Sequence, residues 1–210
     1  SHALRSPLTR ARLHPELLSE DGDVRPQRDA LLRDLGEMSR LIADLLESER
    51  LSGRHAAAVR EPTDLVAIVR EVLAELAPRH ANAASVRIEA APDLPVLALD
   101  ATRMRLLLRN LLDNACRHSL DAAQPPELHL SRTADGVVLA VRDHGPGVSD
   151  AQLGQLAQPF YRPDSARTRS AGGVGLGLYL CKLVAQAYGG RFEVSNATPG
   201  LRVTVTLPGG

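Results

Sequence analysis

The sequence has no tryptophan and only five aromatic residues, three Tyr and two Phe. Stacking platforms for nucleic-acid bases are therefore missing. Neither charge is in excess: 25 basic residues balance 25 acidic ones. That neutrality leaves no electrostatic footprint for DNA or RNA, and no nucleic-acid partner is expected. Lys182 is the single lysine, which reads as compositional bias rather than function. Cysteine occurs twice, at Cys116 and Cys181. Two thiols build no disulfide framework, and their spacing matches no metal motif. A reduced, cytosolic setting is the simplest reading. The histidines (His2, His14, His55, His80, His118, His129, His144) form no HxxxH or HxH pair, which disfavours zinc. No run approaches the ~20 apolar residues of a membrane helix. The chain opens SHALRSPL, without initiator Met or signal peptide. It reads as a fragment, with any membrane segment of the parent lying elsewhere.

What is present divides into two halves with different periods. In RDALLRDLGEMSRLIADLLESERL, residues 28–51, Leu31, Leu35, Met38, Ile42 and Leu45 follow the 4-3-4-3 spacing of an a/d seam. Leu32, Leu41 and Leu46 widen the stripe to the width a helical bundle buries. Upstream, Leu4, Leu8, Ala11, Pro15 and Leu18 repeat the spacing less cleanly, and EDGDVRP marks a turn between the two helices. Residues 1–52 thus predict a helical hairpin. Two helices cannot bury such a stripe alone, so a homodimer through these helices, a four-helix bundle, is expected. Residues 53–62 read as a linker. Residues 63–210 read as a mixed α/β domain with helices at 64–77, 101–118 and 176–188. Its strands fall at 86–91, 96–99, 127–133 and 136–145, then at RFEVSN and RVTVTL. Residues 147–171 show little periodicity, and a loop of that length in a compact domain signals a functional lid or disorder. The fold class is α+β: the hairpin, then an α/β sandwich with a mixed, largely antiparallel sheet packed on helices.

Three stretches carry chemistry. On the helix ATRMRLLLRNLLDNACRH, residues Met104, Leu108, Leu111, Leu112 and Ala115 form the core arc. Arg105, Arg109, Asp113 and Cys116 share a second arc that faces solvent at least in part. Asn110, Asn114, Arg117 and His118 share a third. Asparagine is a mediocre helix former, so two at i, i+4 on one face need a reason. They are either solvated amides or a polar stripe toward a ligand, in which amide oxygens suit Mg2+ and Arg117 and His118 suit phosphates. VRDHGPGVSD ends an apolar strand with Asp143, an acceptor for an amino group such as adenine's. Gly145 and Gly147 let the backbone approach a flat ring. GGVGLG, residues 172–177, is neither a P-loop nor a GxGxxG dinucleotide turn. Its glycines still lead into a helix N-terminus, whose free N–H groups and dipole suit phosphate. His2 lies about 160° around its helix from Leu4, at roughly 100° per residue, and therefore points outward. Position alone makes it an exposed terminal histidine.

The order HALRSPL, NLLDNA, DHGPG, FYR, GVGLGL is similar to that of bacterial two-component sensor histidine kinases. SHALRSPLT resembles the phosphoacceptor box, NLLDNACRHS the N box, DHGPG the first glycine box, PFYRPDSAR the F box and GGVGLGL the second glycine box. The resemblance covers nearly the whole chain, and it reverses the reading of His2. It implies an ATP-binding domain of the Bergerat type, shared with gyrase and MutL ATPases. It implies that His2 is the phosphoacceptor, that Asn114 binds Mg2+ with Asn110 supporting the same face, and that Arg117 and His118 meet phosphates or the ribose side. Asp143 would read the adenine amino group. Gly145, Gly147, Gly173, Gly175 and Gly177, with Leu176 and Leu178, would shape the pocket and the lid hinge. Phe160 and Arg162 would lie on the lid, Phe160 anchoring it in an apolar patch. The phosphoryl group would pass on to an Asp of a response regulator receiver domain. The parent would sit in the bacterial inner membrane, held only through segments missing here, with this part facing the cytoplasm.

Within the resemblance, related ATPases carry a Glu at the first N-box position to activate water. Asn110 stands there and cannot act as a base, which favours kinase over hydrolase. Two departures matter. The acid that usually follows the histidine is Ala3, which keeps open an ATP-binding signalling module with weak or no phosphotransfer. The usual Thr or Asn four residues after the histidine is Ser6, whose hydroxyl still suits positioning a water for regulator phosphatase activity.

Overall fold

The computed structural model describes residues 59–163 and 175–209, together with Arg28, Leu31, Leu35, Gly36, Ile42, Ala43 and Leu46, all helical. The expected hairpin of residues 1–52 otherwise lies outside the described residues, as does the linker up to residue 58. Leu35, Ile42 and Leu46 are exposed in the single chain.

Five strands form the main sheet, in the order β2 (Arg87–Ala90), β4 (Glu127–Thr133), β5 (Gly136–Arg142), β7 (Leu201–Pro208) and β6 (Arg191–Asn196). Only β2 and β4 run parallel, so the sheet is mixed and largely antiparallel, as its alternating sequences predict. Cross-strand neighbours explain the core. Leu128 faces Val141 and Leu130 faces Leu139; Val141 faces Val203, Leu139 faces Val205 and Val137 faces Leu207. All are buried. With a side-chain period of two, the intervening His129, Ser131, Thr204 and Thr206 fall on the opposite face.

Helices α1 (Leu65–Leu76), α2 (Ala101–His118) and α4 (Gly177–Ala187) supply the other layer. The first two begin alike. Asp64 accepts from Val66 N and Ala67 N, and Asp100 from Thr102 N and Arg103 N; each side chain satisfies amides the helix cannot. Leu65, Ile68, Val69, Val72 and Leu76 give α1 one buried stripe. Helix α4 ends in a Schellman motif, Gly190 N donating to Ala185 O and Gly189 N to Gln186 O.

The structure corrects three sequence expectations. The end of the linker is a strand: β1 (Glu61–Thr63) pairs antiparallel with β3 (Leu97–Leu99). Thr63 is buried there, and its hydroxyl donates to Leu99 O and Glu61 O. A three-residue strand containing a proline carries no period to read. Within the loop 147–171 lies a one-turn helix, α3 (Asp150–Leu153). Ser149 N and Oγ both donate to Gln152 Oε1 at its start. Cys116 does not face solvent: it is fully buried with the core stripe of α2, and burial pushes its thiol pKa up to about 11. The buried arc of α2, which also takes in Leu107 and Arg103, is wider than the sequence suggests.

Candidate functional site

The site is built where the end of β5, the last turns of α2 and the start of α4 meet. Its floor is Asp143, which is buried. Asp143 Oδ1 accepts from Gly145 N at 2.9 Å and from Leu201 N at 3.2 Å. Asp143 N in turn donates to Leu201 O. Backbone amides thus hold one carboxylate oxygen as an acceptor, while Oδ2 takes no hydrogen bond among the described residues. The neighbouring His144 N donates to Ser119 Oγ, at the C-cap of α2. The His144 ring is buried with neither nitrogen hydrogen-bonded, its Nε2 lying 3.4 Å from Glu127 Oε1.

One wall is the third arc of α2. Asn110 and Asn114 are both half-buried. Asn110 Nδ2 donates to Leu106 O one turn back, which turns Oδ1 toward α4. A Cβ on Gly177, the first residue of α4, would sit 3.1 Å from that Oδ1. The Asn114 amide makes no hydrogen bond to any described residue and is available to a ligand. Arg117 is held differently from the expectation that it meets a ligand directly. It pairs with Asp113 one turn back, and Asp113 also takes His80 Nε2 at 2.9 Å. The i, i+4 spacing that puts Arg117 on the ligand arc also puts it beside this acid. His118 lies at the surface end of the arc. Enough protein crowds the ring for desolvation to lower its pKa; Asp143 opposes that shift, and Arg117 and Arg162 reinforce it.

The far end is formed by the F-box segment and the glycines before α4. Phe160 N donates to Gly175 O. Gly175 has φ +77°, and a Cβ there would lie 2.5 Å from Tyr161 O, so only glycine fits. Phe160 itself adopts φ +65°, a conformation that non-glycine residues hold at a cost. Its ring is 44% exposed. The expected burial of Phe160 in an apolar patch is therefore corrected: Leu156, Leu176 and Leu180 are the buried side chains here, and a backbone hydrogen bond fastens Phe160. Leu178 is half-buried against the core.

Of the predicted site residues, Gly177 closes on Asn110, Gly145 on Asp143 and the His118 backbone, and Gly175 on the backbone of Phe160 and Tyr161, while Asp143, Arg117 and Arg162 all act on the His118 ring. His2, Ser6 and Gly173 lie outside the described residues. Sequence reasoning missed Asn196. Its Oδ1 accepts from Val148 N at 3.2 Å and its Nδ2 donates to Val148 O at 2.8 Å, clasping the first glycine box from the end of β6. It also missed Gly200, where a Cβ would lie 1.9 Å from Asp143 O. The TPG turn was the available signal for Gly200; nothing local marks Asn196. Among the described residues no cluster of His, Cys, Asp or Glu could hold a metal, and no helix is long and apolar enough to cross a membrane.

Residues 99–210 match the family model of histidine kinase-, DNA gyrase B- and HSP90-like ATPases. Residues 1–54 match that of the His Kinase A phospho-acceptor domain. The chain is 35% identical to the alginate biosynthesis sensor protein KinB of Pseudomonas aeruginosa, over 99% of this chain and 36% of that protein. It is 32% identical to the signal transduction histidine-protein kinase BaeS of Escherichia coli (strain K12), over 99% of this chain and 45% of that protein. It therefore spans less than half the length of either relative. The Acinetobacter baumannii histidine kinase AdeS shares the fold with a TM-score of 0.78 at 23% identity, covering 100% of this chain and 98% of that one. Full-length ShkA in complex with AMPPNP gives a TM-score of 0.70 at 25% identity, over 100% of this chain and 44% of that one.

Proposed function

This chain belongs to the histidine kinases, within the histidine kinase-, DNA gyrase B- and HSP90-like ATPases, and from that premise we propose that it is a sensor kinase core that phosphorylates its own His2 from ATP. The observation that carries this reading is the Asp143 carboxylate, buried and aimed by Gly145 N and Leu201 N near the last turn of α2, the helix that carries Asn110 and Asn114. An acceptor held by amides suits the exocyclic amino group of adenine. The sugar and phosphates then run along Asn110, Asn114 and His118 toward the amide-rich start of α4. That full-length ShkA, which matches this chain's fold, was solved in complex with AMPPNP supports nucleotide binding.

A divalent cation fits the donor set, because the Asn114 amide makes no hydrogen bond to any described residue and Asn110 turns its oxygen toward the start of α4. Asn114 would hold Mg2+, which neutralises phosphate charge when bound. Arg117 and Arg162 add positive charge to the same side, and Gly175 lets the F-box backbone lie against the glycine turn without a clash. The neutral His2 imidazole attacks the γ-phosphorus in line. The bond to the β–γ bridging oxygen breaks, and ADP leaves with the electron pair; the imidazole proton goes to solvent, since Ala3 cannot take it. The phosphoryl group then passes to an Asp of a response regulator, and the Ser6 hydroxyl is of a type that suits positioning a water to hydrolyse that aspartyl phosphate. Leu35, Ile42 and Leu46, apolar and exposed in the single chain, support a homodimer through the N-terminal helices. A parent held in the inner membrane, with this part in the cytoplasm, follows the pattern of sensor proteins.

Incubation with Mg-ATP should give an acid-labile, base-stable phosphoprotein that disappears in His2→Ala. No label in the unaltered chain would sink the reading. Ala3 favours a second reading, a nucleotide-binding module with little transfer. The two separate on Ala3→Glu, which should label faster than the natural chain; equal rates would remove Ala3 as the limiting feature.

A further inference from the structure

Helices α2 and α4 pack antiparallel, and three contacts mark their register. At one end a Gly177 Cβ would touch Asn110 Oδ1 at 3.1 Å. Midway, Cys181 Sγ meets Leu107 O at 3.6 Å. At the other end Asp100 N donates to Tyr188 Oη at 2.8 Å. From Asp100 to Asn110 is about 15 Å along α2, and from Tyr188 to Gly177 about 16 Å along α4, at about 1.5 Å per residue. The ladder is therefore in step over its full length. Asp100 is also the N-cap of α2, so the tyrosine hydroxyl grips the residue that begins the asparagine helix. Tyr188, the C-cap of the glycine-box helix, is buried. Above its ring, 5.3 Å from the centroid, lies the guanidinium of Arg60. Arg60 directly precedes β1, whose Glu61 pairs with Leu99, one residue before Asp100. The segment joining the two halves of the sequence thus touches the far end of the same helix pair.

Resting on the nucleotide-site reading above, we propose that Tyr188 is a positioning residue that sets the axial register of α2 against α4, and that Arg60 makes the interdomain segment a handle on that register. A slip at Tyr188 is transmitted along two stiff helices to the gap between Asn110 and Gly177, where the phosphates lie. The link is physical at every step: a cation on a ring, a hydroxyl on an N-cap amide, and close-packed helices that shift as bodies rather than compress.

The test uses the whole 210-residue chain. Tyr188→Phe keeps the ring under Arg60 and removes only the hydroxyl. It should weaken Mg-ADP binding in calorimetry by about fivefold, the net effect of one lost hydrogen bond. Arg60→Ala, acting on the same register, should weaken Mg-ADP binding by about twofold, less than Tyr188→Phe does. It should slow phosphohistidine formation at saturating ATP by about threefold, and Arg60→Lys, which keeps a cation, should restore the rate. A lower melting midpoint for Tyr188→Phe with unchanged Mg-ADP affinity would make Tyr188 merely structural and overturn the proposal. Arg60→Ala labelling at the natural rate, or Arg60→Lys as slow as Arg60→Ala, would overturn the handle. If the natural chain binds Mg-ADP but forms no phosphohistidine, the kinase reading fails while the Tyr188→Phe affinity still decides the register. If it binds no adenine nucleotide, both fall.

Discussion

The two ends of the site are built on opposite plans. At the Asp143 end the protein has already made its hydrogen bonds: two amides hold Oδ1, Asn196 clasps Val148 from both sides, and Gly200 closes against the Asp143 carbonyl. At the Asn114 end the groups wait for a partner. Among the described residues the Asn114 amide has no hydrogen-bond partner, His118 is kept toward its neutral form by crowding and by two arginines, and Phe160 lies half in solvent. A preorganised end loses little entropy when a rigid purine docks, so it supplies recognition. An end completed by its ligand responds to the ligand's charge, so it suits the flexible, metal-bound triphosphate.

That contrast can be broken at either end. Asp143→Ala should have the largest effect, about 100-fold weaker Mg-ADP binding in calorimetry, because it removes a charged acceptor with fixed donors. A loss under about threefold would mean that the floor of the site is elsewhere. Asn114→Ala comes next: about tenfold weaker binding with Mg2+ present and no change when EDTA removes it. Equal losses in both conditions would deny this residue a metal. Asn196→Ala frees Val148 without touching the ligand, at a cost of about 1 kcal/mol or roughly fivefold in affinity. It should do so with or without metal, which separates the prebuilt end from the completed one. The smallest effect concerns pH. His118 in the free protein has its pKa lowered, and bound phosphates would raise it, so binding takes up a proton. Mg-ADP affinity should therefore strengthen about two- to threefold as pH falls from neutrality toward the lowered value, and His118→Asn should flatten that slope. The same shift costs the empty protein stability over that window, because the unfolded chain takes the proton first.

Much of this was legible in the chain. Helix α2 spans the residues that its apolar spacing predicts, and β4 and β6 match their alternating runs residue for residue. Asn110 and Asn114 are both half-buried on one helix, as their spacing implies, and Asp143 is buried at the end of β5. Other features were not legible. Cys116 looked half-exposed because a helical wheel says which residues share a face, not how much of the circumference neighbours will cover. Phe160 looked like an anchor because its ring is apolar, yet the segment is fastened by its backbone.

Sequence alone determined the periods, the order of the motifs and the residue types that can accept an amino group or hold a metal, all of which are properties of short stretches. Tertiary structure decided that β1 belongs to the second half, that Asn196 clasps a turn 48 positions earlier and that Tyr188 grips an N-cap 88 positions away. Each of these is a meeting between segments whose own composition carries no trace of the other, because a hydrogen bond across that distance exists only once the sheet and helices have packed.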